Sequence, residues 1–407
     1  MAPSLFYSFP IDSKWAEISQ AEPTNHRGIW GSPEHAAHRM VYLERIAFEP
    51  IRRRVLPDGP TLHSPPGEGA TIEQNMKPEH HDPDCVPMAK WQTQSFPNCN
   101  VIHEMDLRQA ADEEMEESAP SSLQLLGTGW FRSTWKWNAA GDTPVALKTL
   151  RLDREFFDEY YDLHRRDAVA MERLTHSPFV MNIYGYCGQS ALNELADFHW
   201  DSLEKFGKNL RGRDGPDISF LKLQLATSVA VGLAHVHELD DRPSMAHYDI
   251  NPRNVAIVAG GKPKLNDFNI AEFLYYNPKT NQTCGFRSRL HEPWWRAPEE
   301  VTIGNNNILD ESVDVYALGN LLFHILTTHS PRGKMKRERM EEVRQLVAKG
   351  VRPSMGKEYA TSKDPSVVAI RKAIHKCQEF DPKKRPAARE ISNMLIKAVS
   401  EVRASRA

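Results

Sequence analysis

The sequence predicts an α+β fold of two unequal lobes, a small β-rich lobe and a larger helical lobe, preceded by an irregular N-terminal extension. Half of the 28 prolines lie before residue 121, which disfavours regular structure there. Strand-type segments around a glycine turn follow over 123–150, and apolar helical patterns dominate after them. Strands in one region followed by helices in another are typical of an α+β arrangement.

The extension is predicted to comprise residues 1–110. Its stretch "LPDGPTLHSPPGEG" near 56–69 is too rich in proline and glycine to form a regular element. The acidic run "ADEEMEESAPSS" at 111–122 predicts a solvated linker. The folded domain is therefore predicted to span 123–400, and no motif assigns a function to the extension.

Composition excludes some classes of partner. The chain has 51 Lys and Arg against 54 Asp and Glu, so no basic excess indicates a nucleic-acid or membrane-surface partner. The sequence contains no run of 18 apolar residues, so no transmembrane helix is expected. The N-terminus lacks the basic start of a signal peptide. Five widely spaced cysteines without C-x-x-C predict no disulfide framework and an intracellular, cytoplasmic location.

The elements of the folded domain follow in order. "SLQLLGTGWFRSTWKWN" and "DTPVALKTLRL" predict two or three strands around a glycine turn. Residues 153–176 have helical spacing and open with acidic side chains, which favour a helix N-terminus. Two further segments, 220–239 and 310–327, are apolar enough to predict buried helices.

The glycine turn and the strand after it carry the first chemical pattern. "GTGWFR" contains Gly127 and Gly129, two of the three glycines of G-x-G-x-x-G, with Arg132 in the third place. Taken alone, this pattern is more simply interpreted as an ordinary hairpin turn. Lys148 lies in the next apolar strand, where a cation can reach phosphates that a glycine turn covers.

The second pattern is "HYDINPRN", followed by "DFN". Phosphoryl transfer needs positioned phosphates, cations on their oxygens, and a carboxylate that orients the attacking hydroxyl. Asp249 and Asn254 share one loop, so one can face the nucleophile while the other faces a metal. Asn254 and Asp267 offer the oxygen ligands that Mg²⁺ prefers. Each residue alone could cap a turn, but their order after Lys148 favours a phosphoryl-transfer site.

Over 123–400 the sequence resembles the eukaryotic protein kinase family, because these motifs occur in the family's order. The resemblance implies a bilobal protein-kinase-like fold that binds ATP and Mg²⁺. It implies Asp249 as the catalytic base, Lys148 as a catalytic cation, and Asn254 and Asp267 as metal ligands. The residues that it implies in nucleotide binding are Gly127, Gly129, Thr134, Ala146, Lys148, Asn254 and Asp267.

The resemblance also predicts internal contacts. "APE" is predicted to end the activation segment, with Glu299 paired to Arg385, and Asp314 is predicted to brace the catalytic loop. The hinge between the lobes is expected near Glu194–Asp197. A column of apolar side chains is expected to cross both lobes at Met171, Ile183, His247 and Phe268.

Several positions depart from the family pattern. Asp167 stands where a Glu pairs with the strand lysine, so we expect the shorter Asp167 to pair with Lys148. Arg132 in place of the third glycine predicts a loop that is stiffer or that covers the phosphates less closely. Tyr248 replaces an Arg that often contacts a phosphorylated activation segment, which predicts activity that does not strictly require that phosphorylation. Asn251 replaces a lysine, which predicts a lower rate.

The predicted function is that of a protein kinase, which transfers the γ-phosphate of ATP to a protein hydroxyl, with base rates favouring Ser or Thr. Its predicted partners are ATP and a protein substrate. One alternative is a pseudokinase scaffold that binds partners without phosphotransfer. A small-molecule phosphotransferase is a third possibility, which "APEE", Asp314 and Arg385 disfavour because they build a platform for protein substrates.

Overall fold

A computed structural model of the chain provides the architecture. Most of the predicted extension and all of the predicted acidic linker lie outside the described residues. The structure describes residues 70–71, 82–95, 97–103, 123–138, 144–151, 158–197, 200–289, 292–302 and 307–406.

The described part of the extension contains short elements. They are β1 Ala70–Thr71, β2 Val86–Pro87, a 3₁₀ turn Lys90–Gln92, β3 Gln94–Ser95 and helix α1 Cys99–His103. We call residues 82–95 and 97–103 the N-terminal strap, because they lie along both lobes. At one end α1 packs against the sheet of the small lobe. At the other, β2 pairs with a strand of the activation segment, the stretch from the "DFN" motif at Asp267 to the "APE" motif at Glu299.

The small lobe is built on a five-stranded antiparallel sheet. Its strands are β4 Leu123–Thr128, β5 Arg132–Trp137, β6 Val145–Leu150, β7 Ile183–Cys187 and β8 Ser190–Glu194. Their spatial order is β4-β5-β6-β8-β7. Trp135 and Leu147 pair across β5 and β6 and pack in an apolar cluster on one face. Because side chains alternate along a strand, Thr134, Ala146 and Lys148 lie together on the opposite face.

One helix, α2 Asp158–Arg173, accompanies this sheet. The predicted helix began at residue 153, and its first residues lie outside the described part of the chain. Residues 168–171 of α2 are almost fully buried, so this stretch anchors the helix between the lobes. Asp167 precedes that stretch and is also fully buried. The helix therefore brings the Asp167 carboxylate into the interior.

The larger lobe is helical, as predicted. Its helices are α3 Leu203–Asn209, α4 Pro216–His237, α5 Pro298–Val301, α6 Ser312–Thr327, α7 Met340–Ala348, α8 Lys357–Ala360, α9 Pro365–Cys377 and α10 Ala388–Ala404, with 3₁₀ turns at Arg337–Arg339 and Pro382–Lys384. Helices α4, α6, α9 and α10 enclose the main core. Among the described residues, α4 alone is long and apolar enough to cross a membrane, and 67% of its most apolar window is buried in this core.

Short strands of the larger lobe carry the site. They are β9 Met245–Ala246, β10 Val255–Val258, β11 Lys262–Leu265, β12 Glu272–Phe273, β13 Tyr275–Asn277, β14 Gln282–Cys284, β15 Phe286–Arg287 and β16 Ile308–Leu309. β10 and β11 form a hairpin, and its turn holds Gly260 and Gly261 at positive φ, where glycine carries no steric penalty. The catalytic motifs flank this hairpin at its open end. HYDINPRN lies directly before β10, and "DFN" lies just after β11.

The strap is held to the larger lobe by specific contacts. Trp91 is 5% exposed and packs edge-on against Phe273, with ring centroids 4.9 Å apart. The Gln92 side-chain amide donates to the carbonyls of Ser244 and Leu274 at 3.0 and 2.8 Å. The part of the extension that was predicted to be irregular thus packs into the folded domain, because Trp91 supplies a buried anchor that the surrounding prolines obscure.

The prediction of no disulfide framework is wrong. Cys85 of the strap is bonded to Cys284 of the activation segment, and Cys99 of α1 is bonded to Cys187 of β7. The partners are 199 and 88 residues apart in sequence, so no local spacing indicated them. The fifth cysteine, Cys377, is free and buried in the core, which raises the pKa of its thiol.

Candidate active site

The loop between β9 and β10 carries the HYDINPRN motif, and the Asp314 carboxylate of α6 holds it. The Asp314 oxygens accept the backbone N–H groups of His247 at 2.6 Å and Tyr248 at 2.8 Å. Tyr248 has a φ of 61°, a left-handed conformation that is costly for a bulky residue, and these bonds help to offset the cost. The predicted bracing role of Asp314 is confirmed.

Asp249 extends from this loop with a side chain that is 33% exposed. Its Oδ2 accepts the Asn254 side-chain amide at 2.7 Å, and the same amide donates to the Asp249 carbonyl at 3.0 Å. Asn251 also donates to that carbonyl, at 3.1 Å. A carboxylate that hydrogen bonds within its own loop hold in place, and that is partly exposed to solvent, is suited to accept a proton from an incoming hydroxyl.

An arginine that the sequence prediction missed lies beside Asp249. Arg296, directly before the "APE" motif, donates from Nη2 to Asp249 Oδ1 at 2.9 Å and from Nη1 to the Tyr248 carbonyl. Its guanidinium also lies 5.0 Å from the centre of the Tyr248 ring. Tyr248 therefore replaces the usual Arg of the catalytic loop, and Arg296 supplies a guanidinium from the activation segment.

Asp267 follows β11 and opens the "DFN" motif with a φ of 65°. Burial raises the pKa of its carboxyl group, and the nearby carboxylates of Asp167 and Asp249 raise it further. Asn269 donates its side-chain amide to Asp267 Oδ1 at 2.5 Å. The loop thus directs a buried acidic group toward the same space as Asp249.

Lys148 and Asp167 lie close to each other, but the expected ion pair between them is absent. Asp167 instead accepts the Arg132 guanidinium at 2.5 Å and the Phe268 backbone N–H at 2.8 Å. Burial would raise the pKa of Asp167, but Arg132 and Lys148 together hold it below its ordinary value. Among the described residues, no carboxylate pairs with the Lys148 ammonium, and burial lowers its pKa. The Asp side chain pairs with the longer Arg132, not with Lys148.

The Arg132 side chain explains a second difference from the sequence prediction. We expected Arg132 to stiffen the glycine turn, as a residue within the loop that covers the phosphates. It is instead the first residue of β5, and its side chain is 8% exposed and points into the interior. The Gly129 N–H donates to the Arg132 carbonyl at 2.8 Å, which closes the turn ahead of the strand.

The predicted apolar column is present. Met171, His247 and Phe268 are fully buried, and Ile183 is 9% exposed. The rings of His247 and Phe268 lie 4.4 Å apart between their centroids. The predicted hinge lies where β8 leaves the sheet, and the Asp197 N–H donates to the carbonyl of Ile257 in the larger lobe at 2.7 Å.

The end of the activation segment is fixed to the helical core. Arg385 Nη2 donates to Glu299 Oε2 at 2.7 Å, and Nη1 donates to the other oxygen. The Arg385 guanidinium also stacks over Tyr316, 5.0 Å from the ring centre. The predicted Glu299–Arg385 pair is therefore confirmed as a bidentate ion pair.

Comparison with known proteins decides the family. Residues 121–395, more than half of the chain, match the model of the protein kinase domain. This chain belongs to the protein kinase domain family. The bilobal α+β fold predicted from its motifs is therefore confirmed.

Individual relatives of this kinase domain are distant. A receptor-like protein kinase of Arabidopsis thaliana is 27% identical over 282 residues, which cover 66% of this chain and 69% of the relative. The serine/threonine-protein kinase roco9 of Dictyostelium discoideum is 26% identical over 71% of this chain but 8% of its own length. PTI1-like tyrosine-protein kinase 3 of Arabidopsis thaliana is 25% identical over 65% of each chain.

The site residues fit the ATP and Mg²⁺ that the family implies. Asn254 and Asp267 supply hard oxygen ligands. Asp267 lies near the carboxylates of Asp167 and Asp249, and a cation bound among these negative charges would be stabilised. At Gly127, an added Cβ would meet no heavy atom within 4 Å, so the turn borders open space. Thr134 and Ala146 share the face of the sheet that carries Lys148, where an adenine ring could lie against them.

The structure thus brings the predicted polar residues of the kinase domain into one cluster. Asp249, Asn254 and Asp267 lie together at the ends of the β10–β11 hairpin, and Lys148 approaches from the sheet above. Sequence patterns did not indicate the two arginines, Arg132 and Arg296, because each contacts residues 35 to 137 positions away. For Arg132, its presence at the position of the third glycine was the available signal, whereas Arg296 directly before "APE" gave none.

Proposed function

We propose that this chain is an active, ATP- and Mg²⁺-dependent protein kinase that phosphorylates serine or threonine hydroxyls. The observation that carries the proposal is the position of Asp249. Its carboxylate is fixed by Asn254 and Arg296, is partly open to solvent, and lies near Asp267. A carboxylate held in this way can receive the proton of an attacking hydroxyl while nearby oxygen ligands hold a metal.

Each residue has a role in the proposed mechanism. Asp249 would orient the substrate hydroxyl and accept its proton as the oxygen attacks the γ-phosphorus of ATP, while the bond from that phosphorus to the β–γ bridging oxygen breaks and ADP leaves. Asn254 and Asp267 would hold Mg²⁺, which neutralises charge on the phosphate oxygens when it is bound. Lys148, which has no carboxylate partner among the described residues, is available to contact those oxygens.

A protein substrate is favoured over a small molecule. The Glu299–Arg385 pair and the strap fix the activation segment as a rigid surface beside Asp249. Most of the similar kinases bear serine/threonine-protein kinase names and one bears a tyrosine kinase name, which supports Ser or Thr as the acceptor.

A pseudokinase scaffold is the second candidate. It is favoured by one feature, namely that Asp249 and Asp167 both pair with arginines and Lys148 pairs with neither. Such an arrangement can hold the fold together without transfer. Under this alternative the chain would bind partners through a locked conformation.

Phosphotransfer assays separate the candidates. Full-length protein is incubated with radiolabelled ATP, Mg²⁺ and a mixture of generic protein substrates, beside Asp249→Ala and the exposed control Asp214→Ala. We expect labelled phosphoserine or phosphothreonine with wild type and Asp214→Ala, and a loss of at least about 10²-fold with Asp249→Ala. Equal labelling by wild type and Asp249→Ala would refute the proposal, and ATP binding without any transfer would favour the scaffold.

A further inference from the structure

Two cations enter the site from neighbouring strands of the small lobe. Arg132 begins β5, and Lys148 lies in β6, where it is directly opposite Thr134. Arg132 is two residues from Thr134, and side chains two positions apart share one face of a strand. Arg132 and Lys148 therefore point in the same direction, toward the Asp167 carboxylate of α2.

Arg132 is the cation that binds this carboxylate. Its Nη2 donates to Asp167 Oδ2 at 2.5 Å, and the two side chains are 8% and 0% exposed. The same nitrogen lies 3.3 Å from Asn269 Oδ1, while the other Asp167 oxygen accepts the Phe268 N–H. One guanidinium thus connects strand β5, helix α2 and the start of the activation segment.

The chemistry of the side chains explains this choice of partner. Asp is one methylene shorter than Glu, so its carboxylate stays closer to the axis of α2. Arg is long and planar with five N–H donors, so it can bridge two acceptors that a lysine, as a point charge, would not hold in fixed orientation. A buried pair of this kind is sensitive to the loss of either partner.

We propose that Arg132 is the positioning residue that holds α2 and the Asp267 loop in the catalytic arrangement, in place of an ion pair between Lys148 and the helix. This inference rests on the proposed kinase function. In this arrangement the Lys148 ammonium is available to contact the nucleotide phosphates. Arg132 itself acts through Asp167 and Asn269, with no contact to the reacting atoms.

A reciprocal exchange tests the proposal. Arg132→Gly restores the third glycine of the family motif, and Asp167→Glu restores the longer acid that can reach Lys148. We expect Arg132→Gly to lower kcat about 10²-fold with a smaller change in the KM for ATP, because the displaced residues position the transition state. The double variant Arg132→Gly/Asp167→Glu is expected to recover at least about tenfold of this loss. Arg337→Gly, which removes an exposed arginine from the 3₁₀ turn Arg337–Arg339 of the larger lobe, is the control.

Two results would overturn the proposal. One is an Arg132→Gly variant as active as wild type, which is the expectation if the residue is only a substituted loop glycine. The other is a double variant no more active than the single. If Arg132→Gly does not fold, Arg132→Met retains the apolar stem and removes only the guanidinium, and the same criteria apply to it.

A second readout does not depend on phosphotransfer. Amide hydrogen exchange of residues 158–173 is expected to be faster in Arg132→Gly or Arg132→Met than in wild type, and to return toward wild type in the double variant. Unchanged exchange in these variants would refute the positioning role even if activity fell. If wild type transfers no phosphate, the proposed kinase activity fails, whereas the exchange results still decide whether Arg132 holds α2.

Discussion

Removal of the bond between Cys85 and Cys284 is predicted to destabilise the protein and to release the activation segment. In addition to the disulfide, β2 pairs with β13, and β13 pairs with β14, which contains Cys284. An exposed ion pair, Lys279 with Asp84 at 2.8 Å, adds little because water screens it. The Asn277 side-chain amide also donates to Asp82 Oδ2 at 2.9 Å, and the disulfide adds a covalent constraint to these contacts at this end of the strap.

The magnitude follows from the length of the closed loop. The cysteines are 199 residues apart, and chain-entropy arguments for a loop of that size give about 5 kcal/mol of stabilisation through the unfolded state. Measured losses for native disulfides are about 2–5 kcal/mol. For a domain of this size, a loss of about 3–5 kcal/mol corresponds to a fall of roughly 5–9 °C in Tm.

The assay compares Cys85→Ser/Cys284→Ser with Cys99→Ser/Cys187→Ser in thermal melts and hydrogen exchange. Both pairs close long loops, so both double variants should melt below wild type. Only the first should accelerate amide exchange in residues 275–287, because of the two disulfides only Cys85–Cys284 is attached to the activation segment. A first variant that melts within about 1 °C of wild type, or that exchanges like wild type in this segment, would refute the reasoning.

Three other predictions concern the activation segment and the helix α2. The serine and threonine residues of the segment are Thr280, Thr283 and Ser288. Their combined replacement by Ala should leave kcat within about threefold of wild type, because the strap and Arg296 already hold the segment, and complete loss of activity would contradict this. Arg296→Lys should lower kcat about tenfold, since one ammonium cannot hold both Asp249 and the Tyr248 carbonyl, and an unchanged kcat would count against that role. Burial raises the pKa of Glu172 from 4.5 to about 7, so stability is lost as pH rises across that interval, and Glu172→Gln should stabilise by about 1–3 kcal/mol at pH 8 and by less at pH 5. Thermal melts at both pH values test this against the exposed control Glu338→Gln, and an equal shift at both would contradict it.

The order of motifs made the fold and the central cluster predictable. Asp249 and Asn254 are five residues apart in one loop, and Lys148 lies in a strand whose face is set by alternation. The bracing by Asp314 and the Glu299–Arg385 pair also follow from motif positions, and the contacts are present. In each case the chemistry at a motif position leaves few choices of partner.

Partner choice within the cluster was less predictable. Asp167 occupies the position of the expected acid, but which cation it binds depends on the reach of each side chain across β5, β6 and α2. The sequence shows that Asp167 is one methylene shorter than the expected Glu, but only the three-dimensional spacing decides which cation its carboxylate reaches. The pairing of Arg296 with Asp249 joins residues 47 positions apart and was hidden for the same reason.

The strap was missed because its composition resembles that of an irregular segment. Proline and polar residues surround Trp91, and a single buried aromatic side chain produces no periodicity. Its β pairing involves two residues, Val86 and Pro87, which is below the length that a strand pattern can reveal. Long-range tertiary contacts and two disulfides, rather than local propensity, fix this segment.

The central claim is that Asp249 serves as the base of a working kinase. The most direct test is a single-turnover measurement of γ-phosphate transfer by wild type and by the isosteric variant Asp249→Asn, each saturated with Mg²⁺ and ATP. The account predicts measurable transfer by wild type and a rate lower by about 10²–10⁴-fold in the variant, with nucleotide affinity retained. Equal rates in the two proteins, or saturating ATP without transfer by wild type, would contradict it.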